Sequence, residues 1–249
     1  MKSASPPLTA IILAAGVGRR LGAADGKPKV LLEFGGKTLL QRHLEALHAH
    51  GVTDIALTVG HQAGAIRAAL EALGYGARVA CVENTRYREG SLVSLWAQRA
   101  RLQAGSEVVL MDGDVLYDSR MIGRLLGAAP ENVLLVDREI EPGDEPVKIC
   151  FRDGRIVDFR KKPDQPHDWH GESVGFFRFS PSMAQALAGQ CGIYVEEGRA
   201  NVEYEEAVRD LLLREPSRFG VEDISDLPWT EIDFDADVAR ARDEILPQL

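Results

Sequence analysis

The stretch TAIILAAGVGRRLGAADGKPKVLL, residues 9–32, constrains the fold of this chain more than any other part. It opens with an apolar run, residues 10–15, that suits a buried strand and is too short to span a membrane. Glycines follow, which allow positive φ and let a ligand approach the backbone closely, and basic residues crowd the same loop: Gly16, Gly18 and Gly22, with Arg19, Arg20, Lys27 and Lys29. A strand that runs into such a turn is typical of α/β proteins that bind phosphate chains, although a flexible basic surface loop would share the pattern.

Two familiar phosphate-binding loops do not fit the spacing of these glycines. A Walker loop has four residues between its glycines and then Lys-Ser/Thr, whereas Pro28 follows Lys27 here and leaves no hydroxyl for a metal. The dinucleotide fingerprint needs two residues between its last two glycines, and Gly18 and Gly22 are separated by three. The spacing therefore disfavours both classes of loop.

The sequence LAAGVGRRLG, followed by KPKVLL, resembles the signature of the nucleotidylyltransferases that activate sugar phosphates and related alcohol phosphates. That signature reads LAAGxGxR, a spacer and a Pro-Lys pair, and it is matched here by Leu13, Ala14, Ala15, Gly16, Gly18, Arg19, Pro28 and Lys29. The resemblance implies that the loop wraps a nucleoside triphosphate, with Arg19 and Lys29 on its phosphates. It also implies a Rossmann-like three-layer α/β/α fold.

Length and charge narrow the class of protein. A chain of 249 residues suits one large α/β domain, and its net charge of −9 argues against a general nucleic-acid binder. The three cysteines form no CxxC pair, which favours a reduced, cytoplasmic setting. With no apolar run long enough for a membrane span, we expect a single cytoplasmic domain without membrane or nucleic-acid partners.

Hydrophobic periodicity predicts strands that alternate with helices through the first half of the chain. This alternation favours an α/β fold with a mostly parallel sheet. After residue 137 the pattern changes: residues 147–151 and 156–159 alternate around Asp153-Gly154, which predicts a hairpin and an antiparallel extension. We expect residues 1–8 to be disordered, residues 9–137 to form the nucleotide-binding half and residues 138–249 the acceptor-binding half.

Two acidic segments are candidates for a Mg²⁺ site. Asp112 and Asp114 follow the apolar run at residues 108–111, where strands of an open α/β sheet present ligands, and Asp233 ends the segment WTEID. From spacing alone, the first pair could equally form a turn and Asp233 could cap the terminal helix. The resemblance implies that Asp114 and Asp233 hold the metal, with Asp112 beside them.

The resemblance also assigns residues to the base, the ribose and the acceptor. Asn84, in ENTRY, and Ser91, in SLVSL, resemble the segment that lines base and ribose in the cytidylyltransferase branch, and Lys162 resembles the lysine that meets the acceptor phosphate. A cationic acceptor such as phosphocholine binds well to aromatic faces or carboxylates. The candidate residues for this contact are Trp96, Glu172, Glu203 and Tyr204. For the aromatic residues, packing in the core is the alternative.

The overall pattern looks most like the phosphocholine cytidylyltransferase branch, with Arg19, Lys29 and Lys162 as the catalytic cations. It predicts transfer of CMP from CTP to a phosphorylated alcohol, with Mg²⁺ and release of pyrophosphate. A sugar-1-phosphate uridylyl- or thymidylyltransferase, a cytidylyltransferase for an aminoalkylphosphonate or inositol phosphate, and a non-catalytic nucleotide-binding protein are the alternatives. The sequence leaves the acceptor and a homodimeric assembly open.

Overall fold

A mixed β-sheet lies at the centre of the molecule, for which the computed structural model describes residues 6–18, 20–22, 26–140 and 145–249. In chain order the strands are β1 (Leu8–Ala14), β2 (Glu33–Phe34), β3 (Lys37–Thr38), β4 (Asp54–Val59), β5 (Val79–Glu83), β6 (Glu107–Asp112), β7 (Val115–Tyr117), β8 (Asn132–Asp137), β9 (Lys148–Arg152), β10 (Arg155–Arg160), β11 (Trp169–Phe179), β12 (Phe219–Asp223) and β13 (Trp229–Glu231).

Helices cover both faces of this sheet. They are α1 (Leu39–Ala49), α2 (Ala63–Ala72), α3 (Ser91–Ala97), α4 (Arg99–Leu102), α5 (Arg120–Gly127), α6 (Pro181–Glu196), α7 (Tyr204–Arg214) and α8 (Asp235–Arg240), which continues as a π-helical turn at Ala241–Ile245. Short 3₁₀ turns lie at Lys29–Leu31, Pro216–Arg218 and Leu246–Gln248. Within the described ranges, no helix is both long enough and apolar enough to cross a lipid bilayer.

The sheet is parallel at one side and antiparallel at the other. Its strands follow the order β5-β4-β1-β6-β11-β8-β12, and β9 and β10 extend it beside the first part of β11. The pairs β1–β4, β1–β6, β4–β5 and β8–β12 are parallel, whereas β11 is antiparallel to β6, β8 and β9. The predicted α/β fold, with a mostly parallel sheet and an antiparallel extension in the C-terminal half, is therefore confirmed.

Strand β1 is buried on both faces, which explains its uninterrupted apolar sequence. Ala10 and Ile12 pack into the core beneath α1, α2 and α5, while Ile11 packs into the core beneath α3, α6 and α7. Because neighbouring side chains of a strand point to opposite faces, one run of six apolar residues supplies both layers. The glycine-rich loop that follows is thus held at the carboxyl end of a central strand.

Strand β11 changes partners halfway along its length. Its first residues pair with β9 and its last residues pair with β6, and Gly175 lies between them with φ of 76°. A Cβ at this position would overlap the carboxylate of Asp112. Glycine is required here for its left-handed backbone and for the close passage of β11 over the end of β6.

Several elements differ from the sequence-based expectations. Strand β1 begins at Leu8, inside the predicted disordered lead-in, because the carbonyl of Pro7 already accepts the Glu107 N–H at 2.8 Å. Residues 91–102, whose periodicity predicts one continuous helix, form two helices divided at Gln98, whose buried side chain donates to Thr58 Oγ1 at 3.0 Å. Helix α6 and strand β12 were not predicted.

Candidate active site

The candidate site is a cleft of about 250 Å³ at the carboxyl ends of β1 and β6. The parallel register sets Leu13 beside Asp112, and the Gly113 N–H donates to the Leu13 carbonyl at 3.0 Å. A Cβ on Gly113 would lie 2.7 Å from that carbonyl oxygen, so only glycine allows the two strand ends to meet this closely. Both strands therefore deliver their following loops to one place, as expected for open α/β sheets.

A short two-stranded ribbon brings the two acidic segments together. Strand β7, which follows Asp114, pairs with β13 in antiparallel register, and the Ile232 N–H donates to the Asp114 carbonyl at 2.9 Å. As a result, carboxylate oxygens of Asp114, Glu231 and Asp233 lie within 4.8 Å of one another. The predicted metal pair, Asp114 and Asp233, is brought together with a third acid.

Glu231 is the member of this cluster that the sequence reasoning missed. It lies two residues before Asp233, so the alternation of a strand carries both side chains to the same face. This two-residue spacing in the sequence was the signal that could have identified Glu231 as a member of the cluster. The Glu231 side chain is open to the cleft. Even so, its partial removal from bulk water raises its pKa well above the ordinary value, and the negative charges of Asp114 and Asp233 raise it further.

Lys29 reaches into the same cluster from the far side of the glycine-rich loop. Its Nζ lies 2.8 Å from Asp114 Oδ2 and 2.6 Å from Asp233 Oδ1. Burial alone would lower the pKa of Lys29, but the two carboxylates outweigh it and raise that pKa. Reciprocally, burial would raise the pKa of Asp233, and Lys29 brings it below its ordinary value. The site thus holds an ammonium ion against a pair of acids.

The three carboxylates suit a hard divalent cation such as Mg²⁺. Such an ion prefers carboxylate oxygens and keeps several waters when it binds next to phosphates. Asp114, Glu231 and Asp233 converge on one point of the cleft, and a lysine ammonium already contacts two of them. The residues present therefore fit the predicted metal.

Several described residues of the predicted nucleotide-binding loop lie at the cleft. Leu13, Ala15 and Gly16 contribute to its wall, while the methyl of Ala14 supports Gly113 from behind. Gly18 has φ of 62° and lies against the Lys29 side chain. Arg19 lies outside the described residues. Its neighbour Arg20 faces the cleft, 2.9 Å from Glu145 and 3.5 Å from Asp233.

Asn84 and Ser91 hold the predicted base-binding segment in shape. Asn84 is buried; its Nδ2 donates to Ser94 Oγ at 3.0 Å, and its Oδ1 accepts the Arg86 N–H at 2.9 Å. Ser91 Oγ accepts the Tyr204 N–H at 2.9 Å, which ties α3 to α7. Ser91 and Ser94 line the cleft, whereas Asn84 shapes the turn behind it.

The half-buried Asp112 and the buried Tyr204 form a hydrogen-bonded pair at the base of the cleft. The Tyr204 hydroxyl donates to Asp112 Oδ2 at 2.8 Å. Burial, helped by Glu205 and Asp114, raises the pKa of Asp112 well above its ordinary value. Tyr204 is fully buried in the core, so it presents no open aromatic face to an acceptor. Its described contact instead fixes Asp112.

On one side of the cleft, acidic and basic side chains alternate around Lys161. Lys161 lies 3.2 Å from Glu145 and 3.1 Å from Glu203, and all three residues line the cleft. Lys162, the predicted acceptor-binding lysine, lines the adjoining cavity, which it shares with Arg160 and Lys161. Lys161 and Glu203 thus line the main cleft, whereas Lys162 lines the adjoining cavity.

Trp96 and Glu172 are not among the described residues that line the cleft. Trp96 packs against the core beneath α6, with the Arg99 guanidinium 4.2 Å from its ring centroid. Glu172 precedes Ser173, which does line the cleft, so alternation along β11 turns Glu172 to the opposite face. There it lies beside Asp137 in register.

Glu172 makes stability depend on pH. Burial, followed by the nearby Asp137, raises its pKa from 4.5 to about 7. The native state therefore keeps a proton that the unfolded chain loses, and stability falls as pH rises from about 4.5 to about 7. We expect Glu172→Gln, which mimics the protonated acid, to raise the free energy of unfolding by about 2–3 kcal/mol at pH 8.

Urea denaturation of wild type and Glu172→Gln at pH 4.5 and pH 8 measures this difference. Glu222→Gln, at a partly exposed position on β12, is the control and should leave the pH dependence unchanged. An equal effect of Glu172→Gln at both pH values would contradict the assignment.

The chain is similar in sequence to known proteins. Residues 10–166 match the MobA-like NTP transferase domain. The chain is 28% identical to CMP-5'-(3-aminopropyl)phosphonate synthase from Streptomyces rubellomurinus, over 94% of this chain and 38% of that protein. It is also 28% identical to a bifunctional IPC transferase and DIPP synthase from Rubrobacter xylanophilus, over 95% of this chain and 52% of that protein. The chain thus spans about half or less of the length of these curated relatives.

Among solved structures, the fold is similar to that of the inositol-1-phosphate CTP transferase from T. maritima. The TM-score is 0.74 with 22% sequence identity, covering 95% of this chain and 93% of that one. At this identity the likeness concerns the fold.

Proposed function

Since the chain belongs to the family of MobA-like NTP transferase domains, we propose that it transfers CMP from CTP to the phosphate group of a small phosphorylated alcohol such as phosphocholine. The observation that carries the proposal is the contact of Lys29 with Asp114 and Asp233, which cluster with Glu231 beside a glycine-rich loop. This set combines a cation for phosphates with hard ligands for Mg²⁺.

The reaction is an in-line displacement. An oxygen of the acceptor phosphate attacks the α-phosphorus of CTP, the bond from that phosphorus to the β-phosphate oxygen breaks, and pyrophosphate leaves with the electron pair. Positioning and charge neutralisation supply most of the catalysis, and no covalent enzyme intermediate is needed. Mg²⁺ would supply a Lewis acid that offsets the triphosphate charge.

Basic residues of the chain bind the triphosphate and the acceptor phosphate. Lys29 and Arg20, at the glycine-rich loop, offset charge on the triphosphate, and Arg19 takes part as the family resemblance implies. The loop backbone around Gly16 and Gly18 lies against the phosphates. Lys161 and Lys162, which line the adjoining cavity, draw the acceptor phosphate towards the α-phosphorus.

Surplus acid on the acceptor side favours a cationic acceptor. Glu205 lines the cleft, its Oε2 has no hydrogen-bond partner among the described residues, and burial together with Glu203 raises its pKa to about 8. A positively charged head group bound here would offset the repulsion between the carboxylates of Glu203 and Glu205. Choline fits that requirement, and so does the amino group in the product name of the Streptomyces relative.

A pyrophosphate-release assay tests the function. The purified chain is supplied with Mg²⁺ and CTP, UTP or dTTP, and with phosphocholine, an aminoalkylphosphonate, inositol 1-phosphate or glucose 1-phosphate. We expect turnover with CTP and a cationic acceptor. Turnover confined to UTP or dTTP with glucose 1-phosphate would establish the sugar-nucleotide alternative, and nucleotide binding without any turnover would favour a non-catalytic role.

A further inference from the structure

The Lys29 ammonium lies at the place that a metal ion would need. It is within hydrogen-bond distance of one oxygen from each of Asp114 and Asp233, at 2.8 and 2.6 Å. A cation bound to the same two oxygens would lie close to Nζ, where two cations repel strongly. Lys29 and a divalent ion therefore compete for these carboxylates.

Lys29 also offsets a repulsion that the fold creates. The ribbon of β7 and β13 forces Asp114 and Asp233 together whether or not a metal is bound, because it is held by backbone hydrogen bonds. Both side chains are largely shielded, with exposures of 23% and 18%. In such surroundings an unpaired acid pair is costly, and an ammonium ion between its members removes much of that cost.

A second location for the ammonium is present next to the first. Lys29 lines a neighbouring cavity together with Gly16, Gly18 and Arg20 of the phosphate loop. Its backbone is fixed by the 3₁₀ turn that begins there, with the Leu32 N–H donating to the Lys29 carbonyl at 2.9 Å. Side-chain rotation alone can thus carry Nζ from the acids towards the loop.

We infer that Lys29 holds Asp114 and Asp233 together in the metal-free protein and is displaced by a divalent cation towards the phosphate loop. The displaced ammonium then meets the triphosphate, so metal and nucleotide bind cooperatively. The inference rests on the proposed function for the identity of the nucleotide, but the competition between Lys29 and metal does not require turnover.

Titration of the full chain with Mn²⁺ alone, followed by electron paramagnetic resonance, tests this competition. We expect Lys29→Met to bind Mn²⁺ at least tenfold more tightly than wild type. Lys37→Met is the control, since it removes the same charge from an exposed pair with Glu45 and should leave Mn²⁺ affinity unchanged. Lys29→Arg, which keeps the charge, should bind Mn²⁺ as weakly as wild type.

Thermal unfolding gives a second readout. In chelator, Lys29→Met should melt below wild type because the acids are left unpaired, and saturating Mg²⁺ should raise its melting temperature more than it raises that of wild type. If Lys29→Met does not fold, the same titration compares Asp233→Asn with Lys29→Met/Asp233→Asn, in which the acid repulsion is already reduced. There, too, removal of Lys29 should tighten Mn²⁺ binding.

Equal or weaker Mn²⁺ binding after removal of Lys29, in either background, would overturn the inference. Failure of the proposed function shows differently: Lys29→Met would gain Mn²⁺ affinity as expected, but wild type would not release pyrophosphate from CTP with any acceptor.

Discussion

Replacing Asp114 with asparagine is expected to reduce the rate of CMP transfer roughly a thousandfold, a loss of about 4 kcal/mol in transition-state stabilisation. Asp114 contacts Lys29 and belongs to the cluster of three acids that we propose for the metal. Asparagine keeps the shape of the side chain and the backbone bond to Ile232, but it removes one full charge. The effect should therefore fall on catalysis and not on folding.

Steady-state pyrophosphate release measures the loss, and urea denaturation measures the free energy of unfolding. Asp226→Asn is the control, because Asp226 is an exposed acid whose ion pair with Arg124 lies outside the cleft. It should retain wild-type turnover. Undiminished turnover of a folded Asp114→Asn protein would refute the metal assignment for this residue.

Replacing Gly90 with alanine is expected to lower the free energy of unfolding by about 3 kcal/mol or more. A Cβ on Gly90 would overlap the carbonyl oxygen of Val202 and lie 2.6 Å from its carbonyl carbon. The obstacle is backbone, which cannot rotate away as a side chain can. The two segments are also tied, since the Leu92 N–H donates to that carbonyl at 3.2 Å and Ser91 Oγ accepts the Tyr204 N–H at 2.9 Å.

The strain should reach the site as well as the fold. Separating α3 from α7 moves Tyr204 away from Asp112, so affinity for CTP should fall in any Gly90→Ala protein that remains folded. Gly64→Ala is the matched control: Gly64 lies in α2 with open space around it, and alanine there should raise stability by up to about 1 kcal/mol. Equal urea midpoints for the two variants would contradict this account.

Local sequence predicted the elements whose cause is local. The apolar run at residues 10–15 predicts β1 because it can be buried on both faces, and Asp153-Gly154 predicts the β9–β10 turn, where both residues have positive φ. Threonine is a favoured N-cap residue, and the Thr38 hydroxyl caps α1 by accepting the Gln41 N–H at 3.1 Å. In each case the physical reason lies within a few neighbouring residues.

Elements that depend on distant partners were missed. Helix α6 is apolar around much of its circumference because α3, α4 and α7 pack on it, so its sequence has little of the one-sided pattern that marks a surface helix. Strand β12 is stabilised by parallel pairing with β8, far earlier in the chain. Neither signal is contained in a short window of sequence.

The sequence by itself determined the kinds of chemistry available here: a glycine-rich loop with cations, carboxylates after a central strand, and a late acidic segment. Only the tertiary structure decided which of these groups touch. Lys29 meets Asp114 across 85 residues and Asp233 across 204 residues because β1 and β6 share a register and β7 pairs with β13. It also turned Glu172 away from the cleft and added Glu231 to it, since the face that a side chain occupies is set by the pairing of its strand.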